Sequence, residues 1–301
     1  MKNVIIFGCT GYLGKKLSEF LLKKDIKVLG IGRKQECEIK HSNFKYLSIK
    51  PDLDSFFKDL LKFKDEYKEA VFYHLAWSGL DRLTNGELKD QLKNLNTSAK
   101  ALKFASTFSC AKFINIGSQE EAIFKDFTQT NKWQENFYTS SPIYYAGAKF
   151  ANKELLELLS YLEKINFINT RFSIALDKEL SGVSFVAKSL KAIKEGKDLM
   201  QVKNTQPCEI VLLDELIEAF YNIGKSGKHK ADYYLGLGKV DTLPHYLSSF
   251  YEYVKENKAY EQAKLNFDKA LLDSFDASLL LKDTGFAFKK DFNALMQEFV
   301  K

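Results

Sequence analysis

Residues 4–14 read Val4-Ile5-Ile6-Phe7-Gly8-Cys9-Thr10-Gly11-Tyr12-Leu13-Gly14, an apolar, β-prone run that stops at three glycines spaced by threes and then turns helical. That spacing suits a diphosphate. Gly8 allows a sharp turn, Gly11 lets backbone approach a pyrophosphate, and Gly14 lets the following helix pack close to a sheet. The helix amino terminus adds free N–H groups and a partial positive charge, so Gly8, Thr10, Gly11, Tyr12, Leu13 and Gly14 are the candidate cradle. A second chemistry lies in Tyr-x-x-x-Lys pairs. An ammonium one helical turn from a phenol stabilises the phenolate, which lets a group with an ordinary pKa near ~10 exchange protons at neutral pH. The string occurs six times, starting at Tyr12, Tyr46, Tyr145, Tyr221, Tyr251 and Tyr260, so by itself it selects none of them.

Strand-like runs at residues 4–7, 27–31, 45–49, 70–75, 112–116 and 165–172 alternate with helical stretches near 12–24, 53–61, 88–108 and 146–163. This is the rhythm of an α/β fold, a Rossmann doubly wound parallel sheet whose ligands sit at the carboxyl ends of the strands. Beyond residue 172 the rhythm changes. A helix at 184–194, a strand at 209–213 running into a helix at 214–223, a short strand at 233–235 and helices near 244–257 and 292–300 are expected. The expectation is a dinucleotide-binding domain over residues 1–170 and a smaller C-terminal α/β substrate-binding lobe over 171–301, with 209–224 returning to the core.

At 301 residues and 45% hydrophobic content the chain can bury a sizeable core. No apolar run reaches the ~18 residues of a membrane span, and 4–7 is too short for a signal-peptide core, which makes a cytoplasmic protein with no membrane partner the expectation. Cys9, Cys37, Cys110 and Cys208 lack paired spacing and the four histidines lack ligand spacing, so reduced thiols and no metal are expected. A formal charge of +6 is spread along the chain as lysine and implies a solvated surface, with no nucleic-acid partner. Only three of the 45 basic residues are arginine, Arg33, Arg82 and Arg171, and these mark positions where a planar, bidentate fork has a use.

Together these residues resemble the extended short-chain dehydrogenase/reductase family, and within it the nucleotide-sugar epimerases, dehydratases and ketoreductases. The likeness rests on the glycine loop, on His74-Leu75-Ala76-Trp77 closing the fourth strand, on Asn96 in the next helix, and on Ile116-Gly117-Ser118 closing the fifth. Tyr145-Ala146-Gly147-Ala148-Lys149 and the tail Phe275-Asp276-Ala277-Ser278-Leu279 with Thr284-Gly285-Phe286 complete it. The resemblance implies that Tyr145, at the start of the helix after the fifth strand, is the general acid/base. It also implies that Lys149 stabilises the phenolate and holds the nicotinamide ribose, that Ser118 binds the reacting oxygen, and that Asn96 orders a proton relay. Leu75, Ala76 and Trp77 would shape the cofactor pocket through their backbone. The residues themselves leave alternatives open: a strand-end turn at Ser118, a solvent-facing helix position at Asn96, and a hydrogen-bonded core histidine at His74.

The second strand ends Gly32-Arg33-Lys34, without the carboxylate that binds the ribose hydroxyls of NAD. NADP(H) is therefore the expected cofactor, with Arg33 on the 2′-phosphate; NAD(H), with Arg33 a solvated charge, is the alternative. Ser118-Gln119-Glu120-Glu121 lacks the aspartate of the Thr-Asp-Glu run carried by the family's dehydratases, and with the Tyr-x-Gly-Ala-Lys string it resembles bacterial 4-ketoreductases of deoxy-sugar nucleotides. The resemblance implies NADPH-dependent reduction of a 4-keto-sugar nucleotide for bacterial surface polysaccharide. An epimerase using the same residues is the alternative, and an NADP(H)-binding sensor or assembly protein is the non-enzymatic one. Two departures, Ala122 and Ile123 where the family often has a tyrosine and Arg171-Phe172-Ser173 without the usual proline, bear on substrate geometry. The expected partner is a nucleotide-diphosphate sugar, with base and sugar open. Lysines 188, 191, 194 and 197 lie on a helix that meets that diphosphate or simply faces solvent. Family members often pair two helices per subunit, which makes residues 88–108 and 146–162 the candidates for a homodimer contact.

Overall fold

Alternation in the first strand sets up the two faces of the sheet. In β1 (Asn3–Phe7), Val4 and Ile6 join one apolar cluster while Ile5 and Phe7 join another, as the two-residue period of a strand requires. The computed structural model describes residues 1–78, 88–130, 143–202, 205–264 and 266–301. Arg82 lies outside the described residues.

Beside β1 run β2 (Lys27–Gly32) and β3 (Phe44–Ser48) on one side, and β4 (Val71–His74), β5 (Lys112–Ile116) and β6 (Phe167–Arg171) on the other. In the second half of the chain, β7 (Ile174–Leu176), β8 (Pro207–Cys208) and β9 (Ile210–Leu212) precede β10 (Asp232–Tyr234), which returns to pair with β6. The seven-stranded sheet has the order β10-β6-β5-β4-β1-β2-β3, and every pairing in it is parallel. Apart from its last edge strand, this is the Rossmann order, with the chain reversing direction between β1 and β4.

Helix α1 (Tyr12–Leu22) contributes Leu17, Leu21 and Leu22 to the cluster on one face. On the opposite face α2 (Leu53–Leu60) and α3 (Leu88–Thr107) contribute Phe56, Phe57, Leu102 and Phe104. Helix α4 (Glu120–Gln129) follows β5, where sequence periodicity had suggested none. Next, α5 (Ile143–Leu162) packs against α3 and adds Leu156 to the second face. The smaller lobe is built from α6 (Phe185–Lys194), the parallel pair β7–β9, and an antiparallel pair of β8 with β11 (Asp241–Thr242). Between its strands, α7 (Leu213–Ser226) goes back to the first face of the sheet, where Leu216, Phe220 and Ile223 meet the α1 cluster.

The lobe has its own core, in which Leu190 and Ile193 of α6 meet Tyr246 and Phe250 of α8 (Leu243–Glu256). The short helices α9 (Lys269–Asp273) and α10 (Ser278–Thr284) precede α11 (Phe292–Val300), which closes that core with Leu295 and Phe299. Ser184, Thr242 and Asp291 start α6, α8 and α11 by accepting backbone N–H groups of the first turn. Leu88 and Leu92 of α3 and Tyr144, Leu158, Tyr161 and Leu162 of α5 are large apolar side chains left exposed. No helix among the described residues is long and apolar enough to cross a membrane.

Candidate active site

The glycine loop leaves β1 at Gly8, whose φ of +103° is open to glycine and strained for other residues. A Cβ at Gly8 would also stand 2.9 Å from the Ala76 nitrogen, and one at Gly14 would stand 2.2 Å from the Gly8 carbonyl oxygen. The first conflict brings Leu75 and Ala76 against the loop; the second seats α1 on it. Gly8 and Cys9 both donate their N–H to the Ile31 carbonyl, at 2.8 and 3.2 Å, tying the loop to the end of β2. Gly11 is exposed, and a Cβ there would meet only the Gly8 oxygen, at 3.3 Å.

No side chain caps α1, so the N–H groups of its first turn remain available to an anion. This fits a dinucleotide pyrophosphate: a helix start without its own cap, in front of a glycine whose missing Cβ leaves room. Thr10 faces the end of β2, where a Cβ at Gly32 would come within 2.8 Å of its Oγ1. Arg33, next along, is exposed. Leu13 packs against the first-face core, and Tyr12 turns its hydroxyl toward the smaller lobe, 2.6 Å from Asp177 Oδ2.

Parallel pairing places the exits of β4 and β5 side by side, with His74 opposite Asn115. From the first exit comes Trp77 and from the second Ser118, and α5 brings Lys149 to both and Tyr145 to the first. Lys149 Nζ donates to the Ile116 carbonyl at 3.1 Å and lies 3.8 Å from the centre of the Trp77 ring. Tyr145 meets the same indole edge to face at 6.3 Å, and the Lys149 ammonium is 5.9 Å from the phenol ring centre. Tyr145 is 8% exposed and Lys149 5%. A buried cation near a phenol in a protein interior is worth far more than the same pair in water. None of the five other Tyr-x-x-x-Lys strings lies on α5.

The sequence profile of the NAD dependent epimerase/dehydratase family matches residues 4–236. The chain belongs to that family. No curated protein sequence matches it. Among solved structures, the Bordetella bronchiseptica enzyme WbmH in complex with NAD+ is similar at 18% identity and a TM-score of 0.70, over 100% of this chain and 96% of that one. UDP-N-acetylglucosamine 4-epimerase from Bacillus cereus is similar at 14% identity and a TM-score of 0.72, over 100% and 96%. UDP-glucose 4-epimerase from Thermotoga maritima, solved with UDP-glucose, is similar at 15% identity and 0.69, over 99% and 97%. At these identities the likeness establishes the shared fold.

Within this family fold, Asn96 does not join the cluster, because it lies on the exposed side of α3. Asn94, two positions earlier, faces inward instead. Its Oδ1 accepts from Ser78 N–H and Oγ, both at 2.8 Å, and its Nδ2 donates to the Ser78 carbonyl at 3.1 Å. Gln91 accepts from Trp77 Nε1 at 3.0 Å, so one face of α3 holds the loop that carries the indole. The signal was present in the sequence: stepping back by three and four from the small residues Ala105 and Ala101 arrives at Ser98, Asn94 and Gln91, all buried. His74 is a core histidine, its Nε2 2.7 Å from Ser98 Oγ, and burial holds its pKa down at about 3 so that it stays neutral.

Ser118 opens α4. Its Oγ accepts from Glu120 N–H at 3.2 Å and its own N–H donates to Glu121 Oε1 at 2.9 Å. Glu121 was not anticipated as a site residue. It is buried directly behind Ser118, accepts from Asn169 Nδ2 at 3.0 Å, and burial together with the nearby Asp232 charge pushes its pKa up to about 7 against the pull of Lys149. Gln119 is committed at both ends, accepting from Arg171 Nη1 and donating to Ser274 Oγ, each at 2.8 Å. Arg171 adds a bond from Nη1 to the Ser274 carbonyl and one from Nε to Asp232 Oδ1, both at 2.9 Å. Among the described residues no group of three or more His, Cys, Asp or Glu is placed to hold a metal ion.

Because the folded-state pKa of Glu121 stands above the ordinary carboxylate value near ~4.3, its contribution to stability is present at low pH and lost as pH rises through about 7. Glu121→Gln removes that dependence. Urea denaturation at pH 4.5 and pH 8 should show the wild type losing stability relative to the variant across that interval, and an unchanged difference would disprove the assignment.

Proposed function

We propose that this protein reduces the 4-keto group of a nucleotide-diphosphate sugar with NADPH, Tyr145 giving the proton. The observation that carries the reading is the convergence of Tyr145 and Lys149 at the exits of β4 and β5, beside an uncapped helix start suited to a pyrophosphate. A bound nicotinamide supplies the hydride. Lys149 holds the nicotinamide ribose and keeps a positive charge beside Tyr145; Tyr145 hands its proton to the oxygen as the carbonyl becomes an alkoxide; Ser118 orients that oxygen. The loss of any titratable group at Gln119, and its engagement at both ends, argues against dehydration. The substrate class is supported by the relatives solved with nicotinamide dinucleotide and UDP-glucose. Epimerisation is the second reading, favoured by the two 4-epimerases among those relatives.

For the cofactor, the absence of a carboxylate at Gly32-Arg33-Lys34 and the exposed Arg33 guanidinium support NADPH, since an arginine at this strand end accommodates a 2′-phosphate. The exposed apolar side chains of α3 and α5 support pairing of two copies through those helices.

Three measurements test these statements. With a 4-keto-6-deoxy nucleotide sugar and NADPH, a reductase consumes one nicotinamide per product, whereas an epimerase interconverts sugars with no net loss of absorbance; Tyr145→Phe should slow either by about 10²–10⁴-fold, and a variant with full turnover would refute the role of Tyr145. Arg33→Ala should erase a preference for NADPH over NADH, and tighter binding of NADH by the wild type would refute the cofactor assignment. Sedimentation equilibrium should return twice the chain mass, and a monomer mass would end the pairing proposal.

A further inference from the structure

Tyr12 begins α1, and its side chain leaves the phosphate loop altogether. Its hydroxyl donates to Asp177 Oδ2 at 2.6 Å and accepts from the Asp177 backbone N–H at 2.9 Å. Asp177 then turns the chain around its own carboxylate: Ser181 N–H donates to Oδ1 at 2.8 Å, and Ser181 Oγ donates to Oδ2 at 2.5 Å. The turn is tight enough to put Leu180 at a φ of +51°, with Leu180 itself buried in the core of the smaller lobe. Gly182 follows, where a Cβ would be 3.7 Å from the Tyr12 ring, and then Ser184 caps α6. Residues 177–184 thus join β7 to α6 within the smaller lobe, pinned at one point to Tyr12, the first residue of α1. They also carry Val183, 85% exposed, and Phe185 next to them is 47% exposed, apolar surface placed beside the phosphate loop.

We propose that Tyr12 is a positioning residue that couples occupancy of the glycine loop to the geometry of residues 177–184, so that a bound dinucleotide sets the entrance of the lobe that receives the sugar nucleotide. The proposal rests on the reading of residues 8–14 as a dinucleotide loop. Phosphates held by the N–H groups of the first turn of α1 fix the Tyr12 backbone, and its side chain is then held by both hydrogen bonds to Asp177. Asp177 keeps its carboxylate charged despite burial, which works against it, because Ser181 and Tyr12 both donate to it. By linkage, whatever the lobe binds against residues 177–184 tightens dinucleotide binding by the same factor.

Hydrogen exchange followed by mass spectrometry on the full chain, with and without saturating NADP+ or NAD+, tests this directly and needs no turnover. In the wild type, dinucleotide should slow exchange at both 8–14 and 177–184. Tyr12→Phe keeps the ring and removes two hydrogen bonds worth ~1 kcal/mol each, so the slowing at 177–184 should fall by about tenfold or more while that at 8–14 persists. Asp177→Asn, which keeps one acceptor oxygen and the backbone N–H that donates to Tyr12, should retain part of the wild-type slowing. Equal protection of 177–184 in wild type and Tyr12→Phe, or protection confined to 8–14 in the wild type, overturns the coupling. If neither dinucleotide slows exchange at 8–14, the dinucleotide reading of the loop fails first, and the coupling fails with it.

Discussion

A buried ammonium is the constraint on which the site depends. Taking Lys149 out of water costs several kcal/mol unless hydrogen bonds, opposite charge or an aromatic face replace its hydration. Here the replacements come from separate stretches of chain: the Ile116 carbonyl at the end of β5, the Trp77 ring after β4, and the field of Glu121 on α4. All of them reach one point only because β4 and β5 are parallel neighbours whose carboxyl ends lie level. The cation therefore reports on the correctness of the sheet edge. A register slip of one residue in β5 would withdraw the Ile116 carbonyl and turn Ser118 away at the same time.

Behind this point the charges continue inward rather than ending at Glu121. Asn169 donates to Glu121 and to Asp232 at 3.0 Å each, and Asp232 also receives Arg171 at 2.9 Å and pairs with Lys153 at 3.2 Å. Burial works against ionisation of Asp232, and the two cations hold its pKa below the usual carboxylate range. Asp232 is the first residue of β10, so a strand of three residues gains its place at the sheet edge as much from this network as from its ladder. Arg171 extends the network through Gln119 and the Ser274 carbonyl to the segment after α9. Removing one member leaves a buried charge or donor unmatched, which commonly costs more than the interaction was worth. The chain's return from the smaller lobe to the sheet is thereby tied to the same exit that carries Ser118.

Much of this was legible in the sequence where local periodicity and burial agree. The alternation in residues 4–7 and the apolar runs at 112–116 and 165–172 placed the central strands, and the glycine spacing placed the loop, because sterics at Gly8 and Gly14 admit no other residue without displacement. Helix α4 was not legible. Ser118-Gln119-Glu120-Glu121 reads as a polar strand exit, and the core partner of Glu121, Asn169, lies 48 residues later in the chain. Asn96 was singled out from a motif string, which carries no helical phase; the buried positions of α3, Asn94 among them, carry that phase. The contact between Tyr12 and Asp177 spans 165 residues and has no local signature at all.

The engagement of Gln119 narrows the chemistry that this arrangement can run. Eliminating water from a sugar needs a base to take a proton and an acid to protonate the departing hydroxyl, and Gln119 can be neither. An amide does not titrate, and this one is held between a guanidinium and a serine hydroxyl. Under the proposed chemistry, proton movement then converges on Tyr145, and reduction and epimerisation ask the same thing of it. What separates the two reactions is whether a keto intermediate can turn over and present its other face to the hydride before leaving. Under the proposed function that is a question of space and of how firmly the nucleotide is held, which the smaller lobe would set. Tyr12 and Asp177 tie that lobe to the glycine loop, through a contact whose sequence signals are the weakest in the chain.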